Sequence, residues 1–205
     1  GLFITAASRS MADGIKKEYS FIRSIETIYN GFSISEKGNQ LESVVNSTEK
    51  NIFKIIWFSR TVGLNRGIEY LVTALKHCKV KCELHLLGMP VDGYSAQINS
   101  IFPFNFGHQL YLHSFIEHNS ILPFLGQFNL GLAIEENIND NKNLTISNKI
   151  LQYIQVKLPI LCSDTSGHLE VASYFPNTIH PVNIDDEFEV AQKIDFLSEN
   201  RKSYS

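Results

Sequence analysis

One stretch of twenty residues, NKILQYIQVKLPILCSDTSG from Asn148 to Gly167, restricts the fold of this chain more than any other. Its first half has apolar residues at the spacing of one helix face, namely Ile150, Leu151 and Ile154. Pro159 cannot extend that helix, because proline has no amide donor and its ring clashes with the preceding turn. The run from Ile160 to Cys162 is continuously apolar, as strands buried in parallel sheets are. The small polar residues up to Gly167 therefore follow the carboxyl end of a buried strand, where ligands bind in open α/β sheets.

The rest of the chain repeats this alternation of strands and helices. The pattern predicts strands over residues 1–6, 25–29, 53–58, 82–87, 109–113, 130–134, 160–162 and 178–181. It predicts helices over residues 8–19, 68–77, 94–101, 120–128, 168–174 and 186–199, besides the one that ends before the proline turn. Strands and helices at this spacing form right-handed βαβ units. The predicted fold is therefore α/β, a Rossmann-like doubly wound parallel sheet with helices on both faces.

Composition excludes several classes of protein. The chain has 205 residues, 43% hydrophobic and 19% charged, which suits a globular α/β domain with a sizeable core. No apolar run approaches about 18 residues, so we expect no transmembrane span and only peripheral membrane contact. A net charge of -3 gives no reason to expect nucleic acid as a partner. Three cysteines without a framework spacing favour reduced thiols and a cytoplasmic setting.

The chain begins as though it were part of something longer. The first six residues, GLFITA, already have the character of a strand, with no initiator methionine and no signal-peptide pattern before them. We expect an excised fragment in which residues 1–50 form a leading strand, a helix and a polar linker over 33–50. Residues 51–205 would then form the main Rossmann-like domain.

The first loop with chemical potential runs from Ser59 to Gly67, between a predicted strand and a predicted helix. It contains Arg60 and Arg66, whose guanidinium groups stay charged at any physiological pH. Beside the amide groups of a helix start, two such cations would form a clamp for a pyrophosphate. The alternative is that both are ordinary surface arginines.

The second such loop joins a predicted strand to the helix of the central stretch. Glu135 and Glu136 leave the strand, and Ser147, Asn148 and Lys149 begin the helix. The amino end of a helix favours anions, and a nearby carboxylate suits the hydroxyl groups of a sugar or ribose. The alternative is an acidic surface loop followed by a serine helix cap.

The remaining candidates are weaker. The loop from Ser163 to Gly167 is either a turn beside a phosphate or simply a turn, and His168 after it either approaches a ligand or makes an ordinary polar contact. A zinc site can be drawn from a set of four side chains, His77, Cys78, Cys82 and His85. Alternation along the strand does not let these four converge, so we expect no metal.

Five segments in order carry a resemblance to a known family. They are IYNGF, IIWFSRTVGLNRGIEYLVTAL, ELHLLG, FNLGLAIEE and SNKILQYIQVKLPILCSDTSGHLEV, which extend from about Ile25 to Val171. This succession resembles the carboxyl-terminal, nucleotide-sugar-binding domain of GT-B glycosyltransferases, specifically the retaining glycosyl transferases group 1 family. The resemblance implies the carboxyl-terminal half of the GT-B fold.

The resemblance assigns roles to the basic loop. The family's G-R followed by K-G, whose cations bind the nucleotide-sugar diphosphate, resembles Ser59-Arg60 followed by Arg66-Gly67. Arginine replaces lysine there, so the positive charge is retained. Gly88 resembles the glycine that closes a strand near the donor.

The glutamate motif of the family matches less well. Counted back from the proline turn, its second glutamate, which holds the ribose, falls on Gln152, and its first falls on Leu144. Glutamine can still bind a ribose hydroxyl, but leucine cannot. We therefore expect Glu135 or Glu136 to supply the missing carboxylate. The family's glycine before the proline turn falls on Lys157.

The resemblance implies a glycosyltransferase of the hexosyltransferase type that moves a sugar from a nucleotide-diphosphate donor to an acceptor hydroxyl with retention. It implies no metal or other cofactor, and an amino-terminal acceptor domain as the partner, through which peripheral membrane contact stays open. Without that domain the fragment would be inactive. Surface polysaccharide or glycan synthesis is the family's common setting.

Other interpretations stay open. The chain is alternatively a non-catalytic nucleotide-sugar-binding module with a decayed motif, or a nucleotide-sugar epimerase with the GT-B fold. A dehydrogenase is disfavoured because no G-x-G-x-x-G follows a strand.

Overall fold

The computed structural model of the chain describes residues 3–31 and 52–203. Its strands are β1 (Thr5–Ala6), β2 (Glu26–Thr27), β3 (Phe53–Val62), β4 (Cys82–Pro90), β5 (Gln109–His113), β6 (Leu130–Ala133), β7 (Ile160–Ser163) and β8 (Ile179–Val182). Its α-helices are α1 (Arg9–Glu18), α2 (Ile68–Leu75), α3 (Tyr94–Ile101), α4 (His118–Leu125), α5 (Asp140–Leu144), α6 (Asn148–Gln155), α7 (Ser166–Tyr174) and α8 (Glu187–Glu199). The predicted linker over 33–50 lies outside the described residues.

Six strands form one parallel sheet in the order β5-β4-β3-β6-β7-β8. The strand order reverses between β3 and β6, so the carboxyl ends of these two strands flank a topological switch point. The predicted Rossmann-like parallel sheet is therefore confirmed. None of the helices in the described part of the chain is long and apolar enough to cross a membrane.

Strands β1 and β2 form a second, two-stranded parallel sheet beside α1. Polar contacts join this leading unit to the helices of the large sheet. Ser8 caps α1 by accepting from the amide of Met11, and its hydroxyl donates to the carbonyl of Leu144 at 2.6 Å. The carboxylate of Glu170 in α7 accepts from the backbone amide of Ser10 at 2.7 Å.

The core has two parts, one on each face of the large sheet. One part packs beneath α2, α3 and α8 and includes Trp57 and Leu84, while the other packs beneath α4, α6 and α7 and includes Ile56 and Tyr153. A side chain at Gly131 would place its Cβ 2.6 Å from the ring of Tyr153. Only glycine therefore allows α6 to lie this close to β6.

The predicted turn over 59–67 is partly wrong, because β3 continues to Val62. The polar sequence Ser59-Arg60-Thr61 resembles a turn, but β4 also continues, and Thr61 pairs with Met89 after an irregularity in the register. The extended pairing provides partners for the backbone groups that a turn would expose. Arg60 is therefore held by a strand of the sheet and not by a free loop.

Other boundaries also differ from prediction. The predicted loop between the strand over 130–134 and the helix of the central stretch contains α5, whose cap, Asn139, accepts from the amide of Lys142. Helix α4 begins two residues before its predicted start and has Pro123 in its interior. Strands β1 and β2 are shorter than predicted, and α7 begins at Ser166, two residues before its predicted start.

Candidate functional site

A cavity of about 410 Å³ lies at the carboxyl ends of β3 and β4, beside the amino end of α6. The loop after β5 and one side of α4 complete its wall. The residues that line it are Phe58, Ser59, Arg60, Leu87, Gly88, Phe115, Ile116, Ile121, Ser147, Asn148, Lys149 and Gln152. This is the edge at which open α/β sheets bind ligands.

The structure brings six of the ten predicted site residues to this cavity and leaves four outside its lining. The six are Arg60, Gly88, Ser147, Asn148, Lys149 and Gln152. The four that do not line it are Arg66, Gly67, Glu135 and Glu136. The sequence therefore predicted the location of the cavity, while the roles of these residues stay predictions.

Gly88 fixes the distance between the two strands that bound the cavity. Its φ angle is 145°, a conformation that side chains disfavour, and a Cβ there would lie 2.2 Å from the carbonyl oxygen of Ser59. Only glycine lets the end of β4 approach the end of β3 in this way. Arg60 follows Ser59 in the chain, so its place at the cavity depends on this close approach of the two strands.

The residues at the amino end of α6, Ser147, Asn148 and Lys149, line the cavity. Ser147 occupies the cap position, and its side chain makes no capping hydrogen bond. Uncapped amides and the helix dipole together favour an anion at this end. The sequence predicted such an anion-binding helix start from Ser147, Asn148 and Lys149.

Glu135 does not approach the cavity with a free carboxylate. Its Oε1 lies 2.8 Å from the Nζ of Lys149, and its Oε2 lies 3.9 Å from the Nζ of Lys142. The ammonium of Lys149 also lies 5.2 Å from the ring centroid of Trp57. Glu135 is thus held between two lysines at the carboxyl end of β6.

Glu136 contacts the loop between β3 and α2. Its Oε1 accepts from the amide of Gly67 at 3.3 Å, at the amino end of α2. Arg66 directs one guanidinium nitrogen to the hydroxyl of Thr61 at 3.2 Å. Lys142 donates to the carbonyl of Asn65 at 2.8 Å and so also ties the two loops together. Glu136 therefore occupies the anion-favouring end of α2.

His168 is completely buried below the same edge of the sheet. Its Nδ1 lies 3.1 Å from the carbonyl of Ser163, which is a donor-acceptor pair when the proton is on Nδ1. Burial lowers the pKa of His168 to about 4, so the ring is neutral at physiological pH. His168 does not line the cavity. Of the two predicted alternatives for His168, approach to a ligand or an ordinary polar contact, the structure shows the polar contact.

The predicted obstacle to a zinc site is present in the structure. Cys82 lies in the core part beneath α2, α3 and α8, whereas His85 stacks on Tyr111 and His113 on the opposite face of the sheet. Across residues 3–31 and 52–203, no three His, Cys, Asp or Glu side chains are placed to hold a metal ion.

Sequence reasoning missed the apolar half of the cavity, which Phe115, Ile116 and Ile121 supply. A usable signal was present, because Phe115 and Ile116 follow β5, and the carboxyl ends of all parallel strands share one edge. It was overlooked because apolar residues after a strand suggest packing more readily than binding.

The sheet order and the switch point beside the cavity define a Rossmann-like domain. Solved structures with this fold include Anabaena HepE in complex with UDP, with a TM-score of 0.76 and 17% identity over 98% of this chain and 55% of HepE. A variant of S. aureus TarM in complex with UDP gives 0.61 and 17% over 98% of this chain and 39% of TarM. The catalytic domain of cholesterol-α-glucosyltransferase from Helicobacter pylori gives 0.51 and 16% over 74% of this chain and 95% of that domain.

At these identities the likeness shows the fold, which is that of the carboxyl-terminal domain of GT-B glycosyltransferases. The chain spans about half the length of HepE. No protein-family model matches the sequence, and no curated protein sequence matches it significantly.

Proposed function

We propose that the cavity binds a nucleotide-diphosphate sugar and that the chain is the donor-binding domain of a retaining glycosyltransferase. The observation that carries this proposal is that Arg60 and the uncapped amino end of α6 line the same cavity. A cation and the amide donors of a helix start on one cavity are suited to a diphosphate.

The two halves of the cavity suit the two ends of such a ligand. Phe115, Ile116 and Ile121 offer an apolar surface for a flat base, and Arg60 lies in the polar half. Gln152 lines the cavity one helical turn after the amino end of α6, where its amide group can bind a ribose hydroxyl. The volume of about 410 Å³ is within the range typical of small-molecule sites.

In this proposal the chain acts by stabilising the leaving group. As the bond between the sugar and the diphosphate breaks, negative charge accumulates on the diphosphate oxygens. The amides of α6 are fixed by the helix, so they stabilise that charge without reorganising, and the guanidinium of Arg60 adds a positive charge. The acceptor hydroxyl would bind to a further domain, since HepE, solved with UDP-glucose, is nearly twice as long as the aligned part. Retention, a hexosyl donor, a cytoplasmic setting and a role in polysaccharide synthesis belong to the same proposal.

Titration calorimetry of this chain with UDP, GDP and uridine tests the binding step. We expect Arg60→Gln to weaken binding of the diphosphate about tenfold or more, because a charge-assisted hydrogen bond contributes about 1.5–3 kcal/mol. Uridine, which has no phosphate, should bind both proteins alike. The exposed Arg23 lies outside the cavity, so Arg23→Gln is the matched control. Equal diphosphate affinity in all three proteins would contradict the proposal.

A second candidate is a nucleotide-sugar-binding module without catalysis. It is favoured by the carboxylates, since Glu135 is paired with two lysines, Glu136 is bonded to Gly67, and neither lines the cavity. Leu144 occupies the family's first glutamate position and cannot replace them. Incubation of the protein extended by its acceptor domain with labelled UDP-glucose separates the two. Release of UDP with transfer supports the enzyme, whereas binding without turnover supports the module.

A further inference from the structure

The side chains of Lys142, Glu135 and Lys149 form a group that we call the lysine cluster. The central carboxylate lies 2.8 Å from one ammonium and 3.9 Å from the other. The exposed fractions of the side chains are 22% for Lys142, 15% for Glu135 and 10% for Lys149. The cluster therefore holds two cations and one anion largely away from water.

This imbalance of charge is unfavourable unless another anion comes close. A buried ion is stabilised by a partner of opposite charge, and one carboxylate cannot fully serve two ammonium groups. Of the three residues, Lys149 lines the cavity and the other two do not. One of the two cations of the cluster therefore belongs to a residue that lines the same cavity as Arg60.

The second arginine of the predicted clamp is placed differently. Arg66 does not line the cavity, and its guanidinium donates to Thr61 in β3. Arg60 and Arg66, the pair that the sequence predicted, therefore do not both line this cavity. Arg60 and Lys149 do share it, although 89 positions separate them in the chain.

We infer that Lys149, and not Arg66, is the second cation of the diphosphate site, and that Glu135 is its positioning residue. In the free protein the ammonium of Lys149 lies 2.8 Å from the Oε1 of Glu135, and an incoming diphosphate competes for it. Lys142 stays beside Glu135 when Lys149 turns, so the carboxylate is not left unpaired. This inference rests on the proposed function and names a residue that acts within the same site.

Trp57 provides a direct reporter of this movement. It is the only tryptophan of the chain and is completely buried, with the ammonium of Lys149 5.2 Å from its ring centroid. A cation over an indole ring interacts with its electrons, so a shift of the ammonium changes the emission of Trp57. We expect UDP to change the emission of the wild-type chain and not that of Lys149→Gln.

The affinity test uses titration calorimetry of this chain with UDP and uridine. We expect Lys149→Gln to weaken UDP binding tenfold or more and Arg66→Gln to weaken it less than threefold, with uridine affinity equal in all. Lys17 is exposed on α1, so Lys17→Gln is the matched control. Glu135→Gln should bind UDP severalfold more tightly, because it removes the competing anion. A purely structural ion pair would give no gain.

A double variant that removes both charges of the pair keeps the test informative if the single variant does not fold. If Lys149→Gln unfolds, Glu135→Gln combined with Lys149→Gln leaves no unpaired charge in the pair and should still lose UDP affinity. Normal UDP binding by the folded Lys149→Gln or by this double variant would overturn the inference alone. A larger loss in Arg66→Gln than in Lys149→Gln would also overturn it. If the wild-type chain binds neither UDP nor GDP, the proposed function fails and the inference fails with it.

Discussion

Two groups of largely buried charged side chains lie on this sheet, and they differ in charge balance. The lysine cluster at the carboxyl edge has two cations and one anion beside a cavity. The second group, which we call the histidine cluster, contains Lys54, Glu83, His85 and His113. In it the Oε2 of Glu83 lies 4.0 Å from the Nζ of Lys54 and 3.3 Å from the Nε2 of His85.

The histidine cluster has a balanced charge, and its side chains are partners of one another. The Nδ1 of His85 lies 2.8 Å from the Nε2 of His113, and the ring of His85 stacks on Tyr111. With both rings neutral, one lysine and one glutamate cancel, and His85 has a partner on each nitrogen. The comparison teaches that burial of charge alone does not indicate a binding site. The lysine cluster differs because one of its cations belongs to a residue that lines a cavity.

The largest expected effect on the free energy of unfolding comes from removing the carboxylate of each cluster. Glu83→Ala leaves Lys54 buried without its partner and should lower the free energy of unfolding by about 3 kcal/mol or more. Glu135→Ala should lower it less, because Lys142 is 22% exposed and keeps its hydrogen bond to the carbonyl of Asn65, and Lys149 keeps its contact with the ring of Trp57. Guanidinium chloride unfolding followed by circular dichroism measures both. Equal losses would remove the distinction between the clusters.

The second prediction concerns pH and the histidine cluster. Burial, and then the neighbouring His113 and Lys54, lowers the pKa of His85 to about 3. The unfolded chain, with a histidine pKa near 6.5, takes up this proton first as the pH falls. Stability is therefore full above pH 6.5 and is lost below it, by about 1.4 kcal/mol at pH 5.5 for this one residue.

Unfolding curves at pH 7.5 and 5.5 check this dependence. His85→Gln should reduce the loss between the two pH values, leaving the part due to other buried histidines such as His168, whose pKa is about 4. UDP affinity at pH 7.5 should not change in this variant, because His85 does not line the cavity. An unchanged pH dependence would show that His85 is not held neutral by its surroundings.

The features of the fold that the sequence predicted are those with local or periodic causes. The helix before Pro159 and the strand after it were predicted because apolar spacing and proline chemistry act within a few residues. The alternation of strands and helices then implied which edge of the sheet binds a ligand. Arg60 was predicted at that edge from its position after a strand, and Gln152 from the resemblance to the family's glutamate motif.

The parts that the sequence could not predict depend on contacts between distant residues. The extension of β3 to Val62 comes from pairing with the end of β4. The pairing of Lys149 with Glu135 depends on how the loop after β6 folds around α5. Two cations six residues apart look like a clamp in a sequence, but only coordinates show that Arg66 turns to Thr61.

The smallest predicted effect lies at the opposite edge of the sheet, in the turn between α6 and β7. Lys157 has a φ angle of 57°, in the left-handed region, where glycine is favoured. The left-handed conformation costs a side chain about 1–2 kcal/mol, which glycine avoids, although glycine loses about 0.5–1 kcal/mol more backbone entropy on folding. Lys157→Gly should therefore raise the free energy of unfolding by about 0.5 kcal/mol. It should not alter UDP affinity, because this edge lies away from the cavity.

Lys157→Ala is the control for that variant, since it removes the charge and the long side chain but keeps the Cβ. It should give no gain in unfolding experiments at the same pH. If alanine stabilises as much as glycine, the backbone is not strained at Lys157, and the effect comes from the lysine side chain. If Lys157→Gly changes UDP affinity, the two edges of the sheet are coupled through α6. The charge balance of the lysine cluster would then not be the only determinant of binding at the cavity.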